Sequence, residues 1–338
     1  MFAYVIRRLF IGVVMLLAMS FITFFLFFHT GIDPGRFACG KNCSPELIKQ
    51  VDKSFGYDKP IVTQWTDFLH GLVAGRDYPN DPELAKAAPQ LVAHCAAPCL
   101  GYSVVQTSTV TNLLKEAAPV SISIGVLAFI IWIFGGVLLG ALAAVFKGRL
   151  IDRGIVGVSL FFYAFPTFWV GGFLLQFVAI KWGVVAAPSY TRIADGGVMM
   201  WLNNLWLPAI TLALFYMAGY VRITRAFVLE SSSEDYIRTA NAKGLARRRV
   251  LFKHTMRAAL TPVVTLAGLD FASVLGGAVI TENVFNFNGL GKLAVTADVR
   301  FDLPTIVGLV LLLAAFVIVA NIVVDVLYAF IDPRVRLG

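Results

Sequence analysis

Charge is what this sequence has least of. Only 14% of its 338 residues are Asp, Glu, Lys or Arg, where a soluble domain carries about a quarter. Two soluble domains of this combined length would be left with almost no polar surface. Disorder is excluded as well, because a chain that is 58% hydrophobic and 13% aromatic does not stay solvated as a coil. Catalytic residue types are equally sparse. The four histidines (His29, His70, His94 and His254) are scattered, without an H-E-x-x-H pair or a nucleophile signature, so nothing marks covalent or hydrolytic catalysis in this chain. Gly35-Arg36-Phe37-Ala38-Cys39-Gly40-Lys41-Asn42 nearly spells a phosphate-binding loop. It fails because Asn42 stands where Ser or Thr would hold magnesium, and because no strand precedes it.

What is abundant is apolar length. Crossing a hydrocarbon core of about 30 Å takes roughly 20 apolar residues in a helix. Six such runs are present, at about 9–28, 119–146, 155–180, 205–228, 262–283 and 304–330. Pro119, Pro208, Pro262 and Pro304 fall near the starts of four of them, where proline fits the first helical turn. Pro166 lies inside the third and predicts a kink. The first run follows Arg7 and Arg8 but is longer than a signal-peptide core and lacks a small-x-small cleavage site, so it reads as an uncleaved span.

Basic residues are distributed unevenly. Arg7, Arg8, Lys147, Arg149, Arg153, Arg238, Lys243, Arg247, Arg248, Arg249, Lys253, Arg257, Arg334 and Arg336 fall on one side of the six runs, against Lys181, Arg192, Lys292 and Arg300 in the short loops of the other. The positive-inside rule then predicts that both termini are cytoplasmic. Topology accounts for most of the net charge of +8, and a nucleic-acid partner is not needed to explain it. The fold class read from these patterns is an all-α polytopic membrane protein of six transmembrane helices. Its domains are a tail with the first helix (1–29), an extracytoplasmic module (30–118) and a core of five helices (119–338). The setting is a membrane, with lipid as surroundings.

The module at 30–118 carries eight basic and nine acidic residues and is too long for a simple loop. Ser44-Pro45-Glu46 opens a short helix that Phe55-Gly56-Tyr57 ends, and a second amphipathic stretch runs over 61–72. All four cysteines, Cys39, Cys43, Cys95 and Cys99, lie here and none in a span. An even count confined to the oxidising side reads as disulfides, with three pairings open. A four-thiolate zinc site is the weaker alternative, since the C-x3-C spacing is looser than C-x2-C.

The loop at about 230–260 carries the most specific signal. Ser231-x-x-Glu234 and Ser232-x-x-Asp235 have the form of overlapping capping boxes. They predict a helix over 234–243 that Gly244 ends in a left-handed cap, with Leu245 as the apolar residue beyond it. A second, Arg- and Lys-rich helix leads back toward Pro262. On the first helix Tyr236, Ala240 and Lys243 share a face, and Ala240, Ala242 and Gly244 are small enough for another protein to approach the backbone.

Asp235-Tyr236-Ile237-Arg238-Thr239-Ala240-Asn241-Ala242-Lys243-Gly244-Leu245 resembles the EAA-type loop of ABC-importer permeases, in the form found in the dipeptide/oligopeptide B-type permease family. The likeness continues through Gly276-Gly277-Ala278-Val279-Ile280-Thr281-Glu282-Asn283-Val284-Phe285, Gly289-Leu290-Gly291, the run from Asn321 to Tyr328, Ile331-Asp332-Pro333-Arg334, and the amino end with Arg7-Arg8-Leu9 and Ile32-Asp33-Pro34. It covers nearly the whole chain. Two departures stand out: Asn288 replaces a proline before Gly289, and the stretch at about 76–100 looks like an insertion.

The resemblance implies a permease subunit of an ATP-driven importer for short peptides, not itself an enzyme. It pairs with a homologous second permease, two ATPase subunits that carry ATP and magnesium, and an extracytoplasmic substrate-binding protein. No cofactor is expected in this chain. Coupling to the ATPases falls on Glu234, Asp235, Tyr236, Arg238, Thr239, Ala240, Ala242, Lys243, Gly244 and Leu245. The translocation path or gate is expected at Asp270, Glu282, Gly289 and Gly291. Asp270 lies about 13 Å beyond Thr261 at helical rise, where a carboxylate in a span defaults to a functional reading. It either faces the path or pairs with a base such as Arg222. Asp325 reads as a structural clamp, and Gly136, Gly140, Gly268, Gly276 and Gly277 as close-packing positions. Two alternatives accompany this reading: the same architecture importing nickel or another small solute, and a proton-driven secondary transporter using Asp270.

Overall fold

The computed structural model describes residues 2–29, 34–39, 43–80, 86, 90, 92–185, 188–275 and 278–331. They form two compact units, one from 1–120 with 288–318 and the other from 121–287 with 319–338.

The first unit begins with α1 (Phe2–His29), followed by α2 (Pro34–Cys39), α3 (Pro45–Phe55) and α4 (Ile61–Ala74). The α3 boundaries follow local chemistry: Ser44 Oγ accepts the Leu47 amide at 3.3 Å, and Gly56 ends the helix at φ +75°. Helix α4 lies along α1, where Trp65 Nε1 donates to Ser20 Oγ at 2.9 Å and Phe68 packs on Phe24. Two short antiparallel hairpins come next. In one, β1 (Arg76–Tyr78) pairs with β2 (Ala93–Cys95); in the other, β3 (Tyr102–Ser103) pairs with β4 (Ser108–Thr109). These hairpins amend the all-α expectation; the first falls in the stretch read as an insertion and the second just after it. Phe55, Tyr57, Tyr78 and Tyr102 stack beside them at centroid spacings of 5.8–6.3 Å. Burial pushes the Tyr57 and Tyr78 phenols up from their ordinary range. The cysteine pairing is local, Cys39 with Cys43 and Cys95 with Cys99, which leaves no thiolate for zinc.

Also in this unit are α12 (Leu290–Val299) and the first part of α13 (Leu303–Ile331). Val110, Leu114, Leu290, Ala297 and Leu309 form their shared core. Buried Asp302 accepts from Ser103 at 2.5 Å and Thr305 at 2.7 Å, which ties β3 to the start of α13.

The second unit takes up most of α5 (Val110–Val145), then α6 (Leu150–Ala164), α7 (Thr167–Phe173, continued by a π-helical stretch Leu174–Lys181) and α8 (Ile193–Ser233). It also holds α9 (Asp235–Ala242), α10 (Arg247–Leu275) and α11 (Val279–Val284). Helices α6 and α7 meet at 98°. The cause is Pro166, which forces Phe165 to extended backbone (φ −90°, ψ 137°) and ends α6. Helices α5 and α8 approach closely along a glycine seam. A β-carbon on Gly136 would stand 2.5 Å from Tyr220 Cβ, and one on Gly140 2.7 Å from both Thr224 Cβ and Val221 O. Close backbone approach is what small residues provide between helices that gain nothing from the hydrophobic effect in lipid. Gly276 and Gly277 lie outside the described residues.

Among the described residues, five helices are long and apolar enough to cross a membrane: Ile6–Leu26, Val110–Val145, Ile193–Ser233, Arg247–Leu275 and Leu303–Val323. The bent pair Leu150–Ala164 and Thr167–Lys181 makes a sixth if counted as one span. Their boundaries correct the expected ones. Pro119, Pro208 and Pro262 sit inside helices rather than in first turns, and only Pro304 begins one. Hydropathy marks the lipid-crossing part of a helix, whereas the backbone ladder continues past it through polar residues such as Lys115 and Glu116. The fifth run, expected over 262–283, ends at Leu275 and is followed by separate α11.

Candidate functional site: a basic helical hairpin and its anchors

The hairpin is built by α9, the turn at Gly244 and the start of α10. Lys243 is the last residue of the helix in ordinary geometry, and Gly244 takes φ +72°. Its amide donates to Asn241 O at 3.0 Å and that of Leu245 to Ala240 O at 3.3 Å. This is the doubly bonded left-handed cap, which satisfies carbonyls that a helix end otherwise leaves orphaned. Ile237, Ala240 and Val250 then form a small core with Leu245 against it, so the two arms hold each other.

The start of α9 differs from expectation. Ser232 donates to Val228 O at 2.6 Å and Ser233 to Glu230 O at 2.7 Å, both back into α8. The capping boxes do not form, because α8 runs on to Ser233 and claims these hydroxyls. Glu234 is the junction residue, with extended backbone (ψ 147°). Ala240 also needs correction. It is 8% exposed and faces its own hairpin, not the open side shared by Tyr236 and Lys243. The exposed surface is made by Glu234, Asp235, Tyr236, Arg238, Thr239, Ala242, Lys243 and Gly244. Nothing lies within 4 Å of where a Gly244 β-carbon would be, so small-residue access falls to Ala242 and Gly244. Partial burial, then nearby Glu234, raise the Tyr236 phenol above its ordinary range, so it stays a neutral donor.

The hairpin is anchored through α8. Arg225 donates to Asp152 from Nε at 2.7 Å and Nη2 at 2.8 Å, and Asp152 Oδ2 also accepts the Gly148 amide at 2.8 Å. A two-pronged guanidinium–carboxylate pair fixes orientation as well as distance. It ties the turn after α5, the start of α6 and the end of α8 together. Reading the sequence missed Asp152. The available signal was an acid in the first turn of a helix among Lys147, Arg149 and Arg153. Asp152→Ala is expected to lower the thermal midpoint and destabilise the α5–α6 turn, while Asp152→Asn keeps part of both. Equal midpoints for wild type and Asp152→Ala would contradict this anchoring role.

Each acid expected at the path or gate has its own hydroxyl partner. Asp270 accepts from Tyr220 at 2.6 Å, not from Arg222, which lies over the Tyr163 ring. Asp270 is half-buried, and Phe129, Trp132, Tyr216 and Phe271 stack near it. Glu282 is fully buried and accepts from Ser121 at 2.6 Å. Glu282→Ala removes this buried hydrogen bond and is expected to destabilise by about 1–3 kcal/mol, read as a lower midpoint that Glu282→Gln largely restores. Gly289 and Gly291 are buried at the start of α12. The Asp325 side chain lies outside the described residues, as do Asp332, Pro333 and Arg334.

Long apolar helices, helical carboxylates that accept from a hydroxyl or a guanidinium, and an exposed basic hairpin closed by the left-handed cap at Gly244 define a polytopic helical membrane protein. Residues 136–337 match the family described as binding-protein-dependent transport system inner membrane component, and residues 1–125 match its N-terminal membrane component. The chain belongs to this family, whose members are inner-membrane permease components of ABC transporters rather than catalytic subunits. It is 32% identical over 336 residues to a putative peptide transport system permease protein of Brucella abortus, covering 99% of both chains. It is 33% identical to a probable peptide ABC transporter permease protein of Sinorhizobium fredii (98% and 99% covered), and 32% identical to the dipeptide transport system permease protein DppB of Escherichia coli (99% of both). Among solved structures, a chain of the MetNI methionine ABC transporter in inward-facing conformations aligns with a TM-score of 0.51 at 14% identity, over 66% of this chain and 97% of that one. That similarity is one of fold.

Proposed function

We propose that this chain is the permease subunit of a bacterial ATP-driven importer for short peptides. Both termini are cytoplasmic and six spans cross the membrane, with the bent α6–α7 pair as one of them. A homologous second permease completes the pathway, two ATPases hydrolyse ATP in the cytosol, and an extracytoplasmic binding protein delivers substrate. The basic hairpin couples this chain to an ATPase. Glu234, Asp235, Tyr236, Arg238, Thr239 and Lys243 supply contacts, Ala242 and Gly244 allow close approach, and Ala240 and Leu245 hold the hairpin's shape from within. ATP-driven movement of the ATPase is transmitted as rigid-body motion of helices. Asp270, Glu282, Gly289 and Gly291 belong to the path or its gate.

The single observation that carries the coupling assignment is the left-handed cap at Gly244, which presents an exposed, basic and small-residue surface on a self-supporting hairpin. Peptide as cargo rests on the names of relatives that match the chain over its whole length. The test is uptake of labelled di-, tri- and longer peptides in a deletion strain, with and without the wild-type gene. Rescue that requires ATP and survives collapse of the proton gradient is expected. Uptake that follows the proton gradient and is lost in Asp270→Asn would favour a secondary transporter, and rescue of nickel but not peptide uptake would change the cargo.

A further inference from the structure

Within the first unit, the beginning of α5 and one face of α12 line an open cleft of about 390 Å³. Small-molecule sites run from about 300 to 1,000 Å³, so the space suits a ligand of a few residues. Its lining includes charge of both signs, carried by different helices. Glu116 stands on α5; Lys292 and Thr296 on α12 and Arg300 at its C-cap recur every fourth residue. Among the described residues, the side chains of Glu116 and Arg300 have no hydrogen bond or ion pair, so the two opposite charges do not quench one another across the space. Two of the lining side chains hold hydrogen bonds of their own. Lys292 Nζ donates to Asn288 Oδ1 at 2.8 Å, and the Gln106 amide group donates to Asp302 at 3.4 Å.

We propose that this cleft binds a short zwitterionic peptide, with the peptide ammonium at Glu116 and its carboxylate at Arg300 or Lys292. Lys292 and Arg300 are about 12 Å apart along the helix, and an extended di- or tripeptide spans about 7–11 Å. The lining offers a chain of that length one anionic position, Glu116, and two cationic ones, Lys292 and Arg300. The cleft adjoins Gly289, the residue assigned to the gate, and acts as a receiving position on the permease itself. The proposal rests on the peptide-import reading above and adds a recognition site to it.

All four native cysteines are disulfide-bonded, so Thr296→Cys places a single free thiol in the cleft. The experiment measures its maleimide labelling in the assembled importer, in lipid, with added dialanine. Labelling slows by the factor one plus ligand over dissociation constant, about tenfold at ten times the half-protecting concentration. N-acetyl-dialanine amide, which has neither charge, gives no protection. Glu116→Gln and Arg300→Gln each abolish protection, whereas Lys115→Gln, next to the cleft but outside it, retains it. Intact peptide uptake by the Thr296→Cys importer with no protection by dialanine overturns the site and leaves the transport reading standing. Absence of peptide uptake in wild type as well overturns both. Protection by the binding protein alone, with dialanine inert, assigns the cleft to a protein contact and overturns the peptide site.

Discussion

Replacing Gly140 with leucine is expected to prevent accumulation of the folded protein in the membrane. The β-carbon that any larger residue adds there would stand 2.7 Å from Val221 O, 2.7 Å from Thr224 Cβ and 3.2 Å from Arg225 N. Two of these three atoms are backbone and cannot rotate away, so relief requires that α5 and α8 separate. Overpacking that only moves side chains costs about 1–3 kcal/mol; here the displacement propagates along the seam. Trp132, Gly136 and Gly140 on α5 face Tyr216, Tyr220 and Thr224 on α8, and Arg225 adjoins the pair with Asp152. Gly140→Ala is expected to show a partial loss. Gly172→Leu is the control, because nothing lies within 4 Å of its β-carbon. Membrane yield and thermal midpoint are the readouts, and normal values for Gly140→Leu would refute the seam.

The second large effect is functional. Gly244→Glu is expected to reduce uptake to background while leaving yield and insertion intact. At φ +72° a side chain costs about 1–2 kcal/mol, and the open surroundings of Gly244 add no clash within the chain. The local cap weakens but the membrane core does not depend on it. Bulk and negative charge are instead placed on the surface assigned to the ATPase contact. Gly244→Ala separates the two contributions, since it keeps the backbone cost and omits the charge; an intermediate uptake rate is expected. Normal uptake by Gly244→Glu at normal protein level would remove the hairpin from the coupling mechanism.

How far the sequence could be read depended on the range of the interactions concerned. The cap at Gly244 and the Ser44 and Gly56 boundaries of α3 were legible because each is set by residues within five positions. The kink at Pro166 was legible for the same reason. That the chain holds several spans followed from hydropathy, with five helices or six depending on the bent pair, but their ends did not follow, because helices continue beyond the apolar stretch. Long-range pairs were not legible. Asp152 and Arg225 are 73 residues apart and Ser121 and Glu282 are 161 apart, and no spacing rule joins them. The inward turn of Ala240 depends on Val250 packing from the other arm. The serines before α9 misled because α8 extends to Ser233, so hydroxyls spaced for a cap bond the preceding helix instead.

The coupling assignment is tested most directly by photo-cross-linking from position 242. Ala242 is exposed beside the Gly244 turn, so a photoreactive residue there disturbs no internal contact. In intact cells the expected product is a covalent adduct with the ATPase subunit, formed in wild-type background and lost when Gly244→Glu is added. An adduct with the ATPase that persists unchanged in Gly244→Glu, or its absence in cells importing peptide normally, would contradict the account.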